Sequence, residues 1–426
     1  MPLADHPLRL ALAHEVHARP FTPVVAPERI VHHAMLSGEG GAAADRAHLS
    51  KLLAHLGLHD VPPGATHVVR GFGSVRLKWE RHTEFCTWTL FDRSAFDDPF
   101  SGPPHPAIIP PQWLDDLPGQ RLAATRVVIE PAGRIARDPM VLERYFEEEF
   151  LAGSRVSGGT AAAWTDFRVH ADGFGRVYVE DFGLSPRQAG RLVQRFLEIE
   201  TYRMMALLGL PVAREIAPRM TAIDGELTRI TAELRDLGPD GRERQLLQTL
   251  IGLGAEIERM TSASDYRFAA TRAYAALVER RIAELREERE EGLQTIAEFT
   301  DRRLAPALKT VDAMAGRLRG VAERLSRAAT LLRTRVDIAL EEQNQALLVS
   351  MDQRARIQLR LQAAVEGLSL AAISYYAASL LGYLYKAAEK GGFPVSADVM
   401  TGLSIPVLLA AFWLLLRRAR RHLRGE

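Results

Sequence analysis

Between Glu366 and Lys386 the chain runs nineteen residues without a formal charge, and between Asp398 and Arg417 another eighteen. A bilayer core about 30 Å thick takes roughly 20 apolar helical residues to cross, so each run is just long enough. Two such runs close together predict a transmembrane hairpin, 365–386 and 399–416, joined by an external loop, 387–398. The competing arrangement, two buried helices of a soluble domain, leaves the arginines after Leu416 hard to place, because arginine is almost never buried without a partner.

Lys and Arg beside a membrane helix stay on the cytoplasmic side. Arg354, Arg356 and Arg360 precede the first run; Arg417, Arg418, Arg420, Arg421 and Arg424 follow the second, in a basic tail, 417–426. The connector carries only Lys386 and Lys390 against Glu389 and Asp398. Both termini are therefore expected in the cytoplasm. The opening Met1 to Arg9 contains Asp5, His6, Pro7 and Arg9 with no apolar core after it, so the hairpin itself is expected to direct insertion. Cys86, the sole cysteine, excludes an internal disulfide and suits a reducing compartment. A net charge of +1 argues against a nucleic-acid partner, which selects a strong basic excess.

Ahead of the hairpin the chain divides by pattern. Residues 1–184 read as an α+β cytoplasmic domain around a mainly antiparallel sheet. Its expected strands are Arg29–Leu36, Ala65–Arg70, Ser74–Trp79, Glu84–Phe91, Arg121–Glu130, Ala162–His170 and Arg176–Phe182, rich in β-branched and aromatic residues. Short helices fit Pro7–His17, Ala43–Leu58 and Pro139–Phe150, and Gly38–Ala44 and Pro99–Pro111 read as loops. Ser185-Pro186 is a good helix start, opening a helical region, 185–305, punctuated by Pro211, Pro218 and a turn at Gly238-Pro239-Asp240-Gly241. Pro306 should start or kink a helix. Beyond it, Leu304, Leu308, Val311, Ala315, Leu318, Ala322, Leu325, Ala329, Leu332, Val336, Ala339 and Gln343 alternate spacings of four and three, a heptad seam. The expected partner of that seam is the helix within Arg242–Arg303. The stalk helix, 306–364, should enter the membrane unbroken; from Ala307 to Tyr385 it would measure about 120 Å at the helical rise.

In the first membrane run Ser374, Ala378 and Gly382 follow at intervals of four, with Gly367 and Ala371 near the same face. Small residues at this spacing let helices pack closely in lipid, so this face is expected to carry self-association, the alternative being packing of the hairpin on itself. Tyr375, Tyr376 and Ser379 form a polar face or a pore lining.

Catalytic patterns are sparse, and no enzyme activity and no cofactor is expected. In His14-Glu15-Val16-His17 the histidines stand three apart, where the zinc-protease motif needs four, so His14 and His17 are only weak metal candidates. His32 and His33 point to opposite faces of a strand. Gly71-Phe72-Gly73-Ser74 and Gly173-Phe174-Gly175 sit between strands, which favours hairpin turns over phosphate loops. Cys86 lies in a strand-like run without an obvious base. Glu147-Glu148-Glu149 and the run Arg286-Glu287-Glu288-Arg289-Glu290-Glu291 read as solvated helix faces.

His6-Pro7-Leu8-Arg9, Glu15-Val16-His17-Ala18-Arg19-Pro20, Arg81-His82-Thr83-Glu84-Phe85, and Gly367-Leu368-Ser369 leading to Ser374-Tyr375-Tyr376 together resemble a bacterial inner-membrane protein family of unknown function, domain of unknown function 3422. That resemblance implies a multi-pass protein of the bacterial inner membrane and supplies no activity. The order of parts is loosely similar to CorA-type magnesium channels, which implies a pentamer with the first membrane helix around a pore. Their Gly-Met-Asn motif is replaced here by Gly382-Tyr383-Leu384, and Lys386 at the mouth would repel a divalent cation. Two functions follow as expectations: a homo-oligomeric membrane-anchored sensor or scaffold with lipid as its partner, or a divergent channel passing an inorganic cation.

Overall fold

The computed structural model describes residues 5–16, 20–137, 140–236, 242–392, 394 and 396–423, and within these the side chains of all but 11, 14–16, 39, 136–137, 235–236, 416 and 419–423. Contacts divide the chain into two units, 1–240 with 248–329, and 241–247 with 330–426. In chain order the elements are α1 (Arg9–Val16), β1 (Glu28–Leu36), α2 (Ala42–His55), β2 (His67–Phe72), β3 (Val75–Arg81), β4 (Phe85–Asp92), α3 (Pro111–Asp115), β5 (Gln120–Pro131), α4 (Arg134–Arg137), α5 (Val141–Tyr145), β6 (Ala152–Val156), β7 (Ala161–Thr165), β8 (Gly175–Asp181), α6 (Pro186–Leu207), α7 (Gly209–Asp236), α8 (Glu243–Leu285), β9 (Glu288–Arg289), α9 (Ile296–Lys390) and α10 (Ala397–Leu423).

The first unit is built on a nine-stranded sheet of order β2-β3-β4-β1-β5-β8-β7-β6-β9. The sheet is mixed: β5 and β8 run parallel, and the other strand pairs are antiparallel. Strand alternation sorts its side chains. On one face Leu77, Trp79, Trp88 and Leu90 pack with Leu49, Leu52 and Leu53 of α2 and Trp113 of α3. On the other, Ile30, Val127, Ile129, Val177 and Val179 pack with Leu192, Phe196 and Ile199 of α6. α6 starts where the sequence places it: Ser185 and Gln188 form a reciprocal capping box, with Pro186 in the first turn. Gly190 lets α6 come close, since a Cβ there would meet the Thr22 carbonyl oxygen at 2.2 Å.

Four readings change. Ala162–His170 shortens to β7, because Asp166 turns the chain by accepting from the Arg168 N–H and ties back His170 through its side chain. β6 goes unseen in the sequence because its Gly153 and Ser154 carry no strand signal; Gly153 is required there, since a Cβ would meet Trp164 Cδ1 at 2.3 Å. The Arg286–Glu291 run is not a helix face: α8 ends at Leu285, and β9 pairs with β6. Glu287 accepts from the Ser154 hydroxyl and from the backbone N–H groups of Ile296 (2.8 Å) and Ala297 (2.9 Å), capping α9. Pro139–Phe150 is no continuous helix: α5 is one short turn, a 3-10 turn spans Glu148–Phe150, and Glu147, Glu148 and Glu149 are exposed.

Pro218 and Pro306 lie inside α7 and α9, so neither ends a helix. The proposed turn falls largely on 238–241, outside the described residues. In the first unit α9 buries Leu304, Val311, Met314, Leu318, Val321, Leu325 and Ala328. Leu304, Val311, Leu318 and Leu325 belong to the seam read from sequence, but Ala315, Ala322 and Ala329 stand one place off and are half-buried. The shift arises because α9 meets two neighbours: Arg317 donates to Asp224 of α7 (2.8 Å), and Leu325 packs where Gly254 of α8 leaves room. A helix wedged between two others buries a broader stripe than a single heptad seam.

In the second unit Leu332 is buried and Val336 half-buried, while Ala339 and Gln343 are exposed. α9 and α10 each contain a stretch long and apolar enough to cross a membrane, with mean hydropathy 1.3 and 1.8. Both extend past the predicted bounds, so the connector contracts to a turn after Lys390, and Glu389 accepts from the Ala397 N–H at 3.4 Å. The segment after Leu416 stays helical through Leu423.

Candidate functional site

The α6-facing side of β3 and β4 departs from the usual chemistry of a covered sheet. Arg76, Lys78 and Glu80 alternate with Val75, Leu77 and Trp79, and Thr87 and Thr89 with Cys86, Trp88 and Leu90. In an antiparallel sheet such alternation ordinarily marks a solvated face. Here α6 lies over it, and Lys78 is only 4% exposed. Between them is a cavity of about 270 Å³.

Its floor comes from β1, β3 and β4. Lys78 Nζ meets Glu80 Oε1 at 2.9 Å, a buried ion pair. His32 of β1 bridges two hydroxyls, Thr89 Oγ1 at 2.8 Å from Nδ1 and Thr201 Oγ1 of α6 at 3.1 Å from Nε2. Burial, with the Lys78 ammonium close by, lowers the His32 pKa to about 3, so the ring is neutral. The roof comes from α6, where Gln194 Nε2 donates to Glu198 Oε1 at 2.7 Å. Arg281 of α8 donates to the other Glu198 oxygen and to Glu284. Phe85, Phe91, Val193 and Leu197 supply the apolar wall. Two polar atoms on the lining are buried with no partner, Thr87 Oγ1 and Gln194 Oε1. Lys78 and Arg281 against Glu80 and Glu198 leave the wall formally neutral.

Such a chamber can bind and orient a small polar molecule. Burying a charge pair gains little over apolar residues of the same volume, and an unpartnered buried polar atom costs about 1–3 kcal/mol. A cavity walled by both makes this the candidate ligand site of the first unit. Sequence reasoning missed it, although the signal was present: Arg76, Lys78 and Glu80 face the same side as His32 once β3 and β4 are paired to β1.

The residues singled out from sequence fall elsewhere. His17 lies outside the described residues, as does the side chain of His14. Among the described residues no group of three or more His, Cys, Asp or Glu could hold a metal ion. His33 lies on the sheet face opposite His32, its Nε2 2.8 Å from His105 Nε2. Burial lowers both pKa values, His105 to about 4. Cys86 is buried, and desolvation pushes its thiol up to about 12, which removes it as a nucleophile.

On α9, Ser374 and Ala378 are buried, and a Cβ at Gly382 would meet Thr401 of α10 at 3.3 Å. This part of the small-residue face is turned toward the hairpin partner. Gly367 and Ala371 are exposed and Ser379 half-buried. Tyr375 and Tyr376 are 70% and 68% exposed. Arg417 stacks over Trp413 at 5.0 Å, and Arg418 is exposed. The side chains of Arg420 and Arg421 and all of Arg424 lie outside the described residues.

No curated protein matches this chain. The family model described as "Protein of unknown function (DUF3422)" matches residues 4–423, nearly the whole length, and the chain belongs to that family.

Proposed function

We propose that this protein is a membrane-anchored, homo-oligomeric sensor, whose α+β unit receives a small polar ligand in the cavity under α6 and whose C-terminal hairpin holds it to the bacterial inner membrane. The carrying observation is the exposure of the apolar pair. The most apolar stretches of α9 and α10 are 11% and 0% buried. Helices of that composition left uncovered need lipid around them. Arginines on both cytoplasmic flanks put both termini inside, making the protein multi-pass.

Assembly through α9 uses its exposed tyrosines. Tyr375, Tyr376 and Tyr383 are exposed, and a phenol hydroxyl is poorly accommodated by hydrocarbon alone. A second copy of the same helix supplies hydroxyl partners.

The test is expression of the full chain in a bacterial host, followed by alkaline carbonate washing, detergent extraction and mass determination in detergent. Cysteines at Gly391 and Arg418 would be probed with a membrane-impermeant maleimide on whole cells. Retention in washed membranes, a multimer, and labelling at 391 alone are expected. Release by carbonate would overturn the anchor, a strict monomer the assembly, and labelling at 418 the orientation. Mg²⁺ flux into proteoliposomes would replace the sensor by the CorA-like channel reading.

A further inference from the structure

We infer that the cavity under α6 takes a free apolar α-amino acid, its carboxylate on Lys78, its ammonium on Glu80 and its side chain against Phe85, Phe91, Val193 and Leu197. This rests on reading the cavity as a ligand site and names what fills it. Three observations narrow the class.

Charge comes first. The wall offers Lys78 and Arg281 against Glu80 and Glu198, so a phosphate or another multiply charged anion finds no excess of cations. A ligand of zero net charge fits, and one with separated charges uses the wall most fully. Each ligand charge finds its opposite in a region of low dielectric, where charge-assisted hydrogen bonds are about twice as strong as neutral ones.

Spacing narrows it further. Lys78 Nζ and Glu80 Oε1 stand 2.9 Å apart. In an α-amino acid, standard bond lengths bring the ammonium nitrogen within about 2.7 Å of a carboxylate oxygen. The two dipoles therefore lie head to tail in register, and one ion pair becomes four alternating charges. A γ- or ε-amino acid spreads its charges too far for this. The remaining contacts are ready: Thr87 Oγ1 can donate to the carboxylate, and Gln194 Oε1 can accept from the ammonium, both being buried and unpartnered. His32, engaged with Thr89 and Thr201, holds the floor without adding charge.

Size sets the side chain. About 270 Å³ is larger than a cavity of about 150 Å³ that holds benzene, the scale of an aliphatic amino acid rather than a nucleotide.

The experiment is titration calorimetry on the full chain in detergent with L-leucine, 4-methylpentanoate, isoamylamine, glycerol and inorganic phosphate. L-Leucine is expected to bind, with the two single-charge analogues on the order of 30-fold weaker, since each loses charged hydrogen bonds. Thr87→Val should weaken L-leucine about 10-fold. The double variant K78M/E80M should keep its thermal midpoint and lose binding, because apolar residues of like volume replace a buried pair without loss. Binding of glycerol or phosphate without L-leucine would overturn the amino-acid assignment and leave the cavity a ligand site. Silence from all five probes would overturn both. Undiminished binding of L-leucine by Thr87→Val and K78M/E80M would move the site elsewhere and overturn the assignment. Should K78M/E80M fail to fold, the analogue series and Thr87→Val decide.

Discussion

Lowering the pH should destabilise the α+β unit from about pH 6.5 downward, and His32 supplies a calculable share. Its ring is buried between Thr89 and Thr201, and its pKa lies at about 3 against an ordinary 6.5. The folded state thus binds less proton than the unfolded one throughout that interval. Unfolding takes up a proton, and stability falls as pH drops through 6.5, at up to 1.4 kcal/mol per unit, until the folded ring titrates near 3. Between pH 7.5 and 5 this amounts to about 2 kcal/mol. For a unit of this size it corresponds to about 3 °C in thermal midpoint. His33 and His105 are shifted the same way and add to the slope, so the wild type alone does not isolate His32. His32→Gln does, because glutamine keeps donor and acceptor atoms and cannot titrate. Intrinsic fluorescence reads unfolding directly, as Trp79 and Trp88 are fully buried in the same sheet. The wild type should lose about 3 °C more than His32→Gln between the two pH values. Equal losses would refute the claim that His32 is held neutral by burial.

Gly190→Ala should cost about 1–3 kcal/mol through overpacking, since the new Cβ would press on the Thr22 backbone rather than on a flexible side chain; a midpoint within 1 °C of wild type, with about 2 °C allowed per kcal/mol, would show that α6 can move off the sheet. Glu287→Ala should lower stability by about 2–3 kcal/mol, because it strips the Ser154 hydroxyl and two first-turn amides of α9 of a charged acceptor; hydrogen exchange at Ile296 and Ala297 should accelerate, and unchanged protection there would count against the cap. The pair Gly382→Cys with Thr401→Cys should form a disulfide on mild oxidation in membranes, whereas Gly367→Cys with Thr401→Cys should not; equal yields would mean that α9 does not turn its Gly382 face to α10.

How far the sequence carried the fold depends on whether a residue's neighbours are local. The strands of the β2-β3-β4 meander are legible because alternation and the turn at Gly73 are short-range signals, and Ser185-Pro186 states the start of α6 outright. β9 is not, since its strand partner lies more than a hundred residues away: Arg155 pairs with Glu288, and Glu288 sits in a stretch whose composition favours helix. β6 pairs with β7, the next strand in the chain, and is hidden instead by Gly153 and Ser154, which carry no strand signal. A pairing defined only in three dimensions overrides local propensity. The seam of α9 fails by one position for a related reason. Heptad spacing predicts one facing helix, whereas α9 also meets α7 through Arg317 and Asp224, and Met314 and Val321 are buried beside the seam.

The cavity obeys the same logic with the sign reversed. Alternation along β3 places Arg76, Lys78 and Glu80 together, and read locally that pattern means contact with water. What converts a solvated face into a covered polar wall is α6, which is amphipathic and apolar enough to cover the sheet at Ile30, Val127 and Val179. Over β3 and β4 it brings Gln194, Glu198 and Thr201 beside Val193 and Leu197. Coverage is therefore apolar on one side of the helix's footprint and partly polar on the other. A helix that only filled space would be expected to carry apolar residues along its whole buried face, because each buried methylene is worth about 0.8 kcal/mol. The polar half forgoes that gain, and its unpartnered Thr87 and Gln194 atoms add a penalty that a ligand bridging them would remove. On energetic grounds, then, the polar side chains under α6 hold the fold together less well than apolar ones would, which is what the proposed ligand site requires.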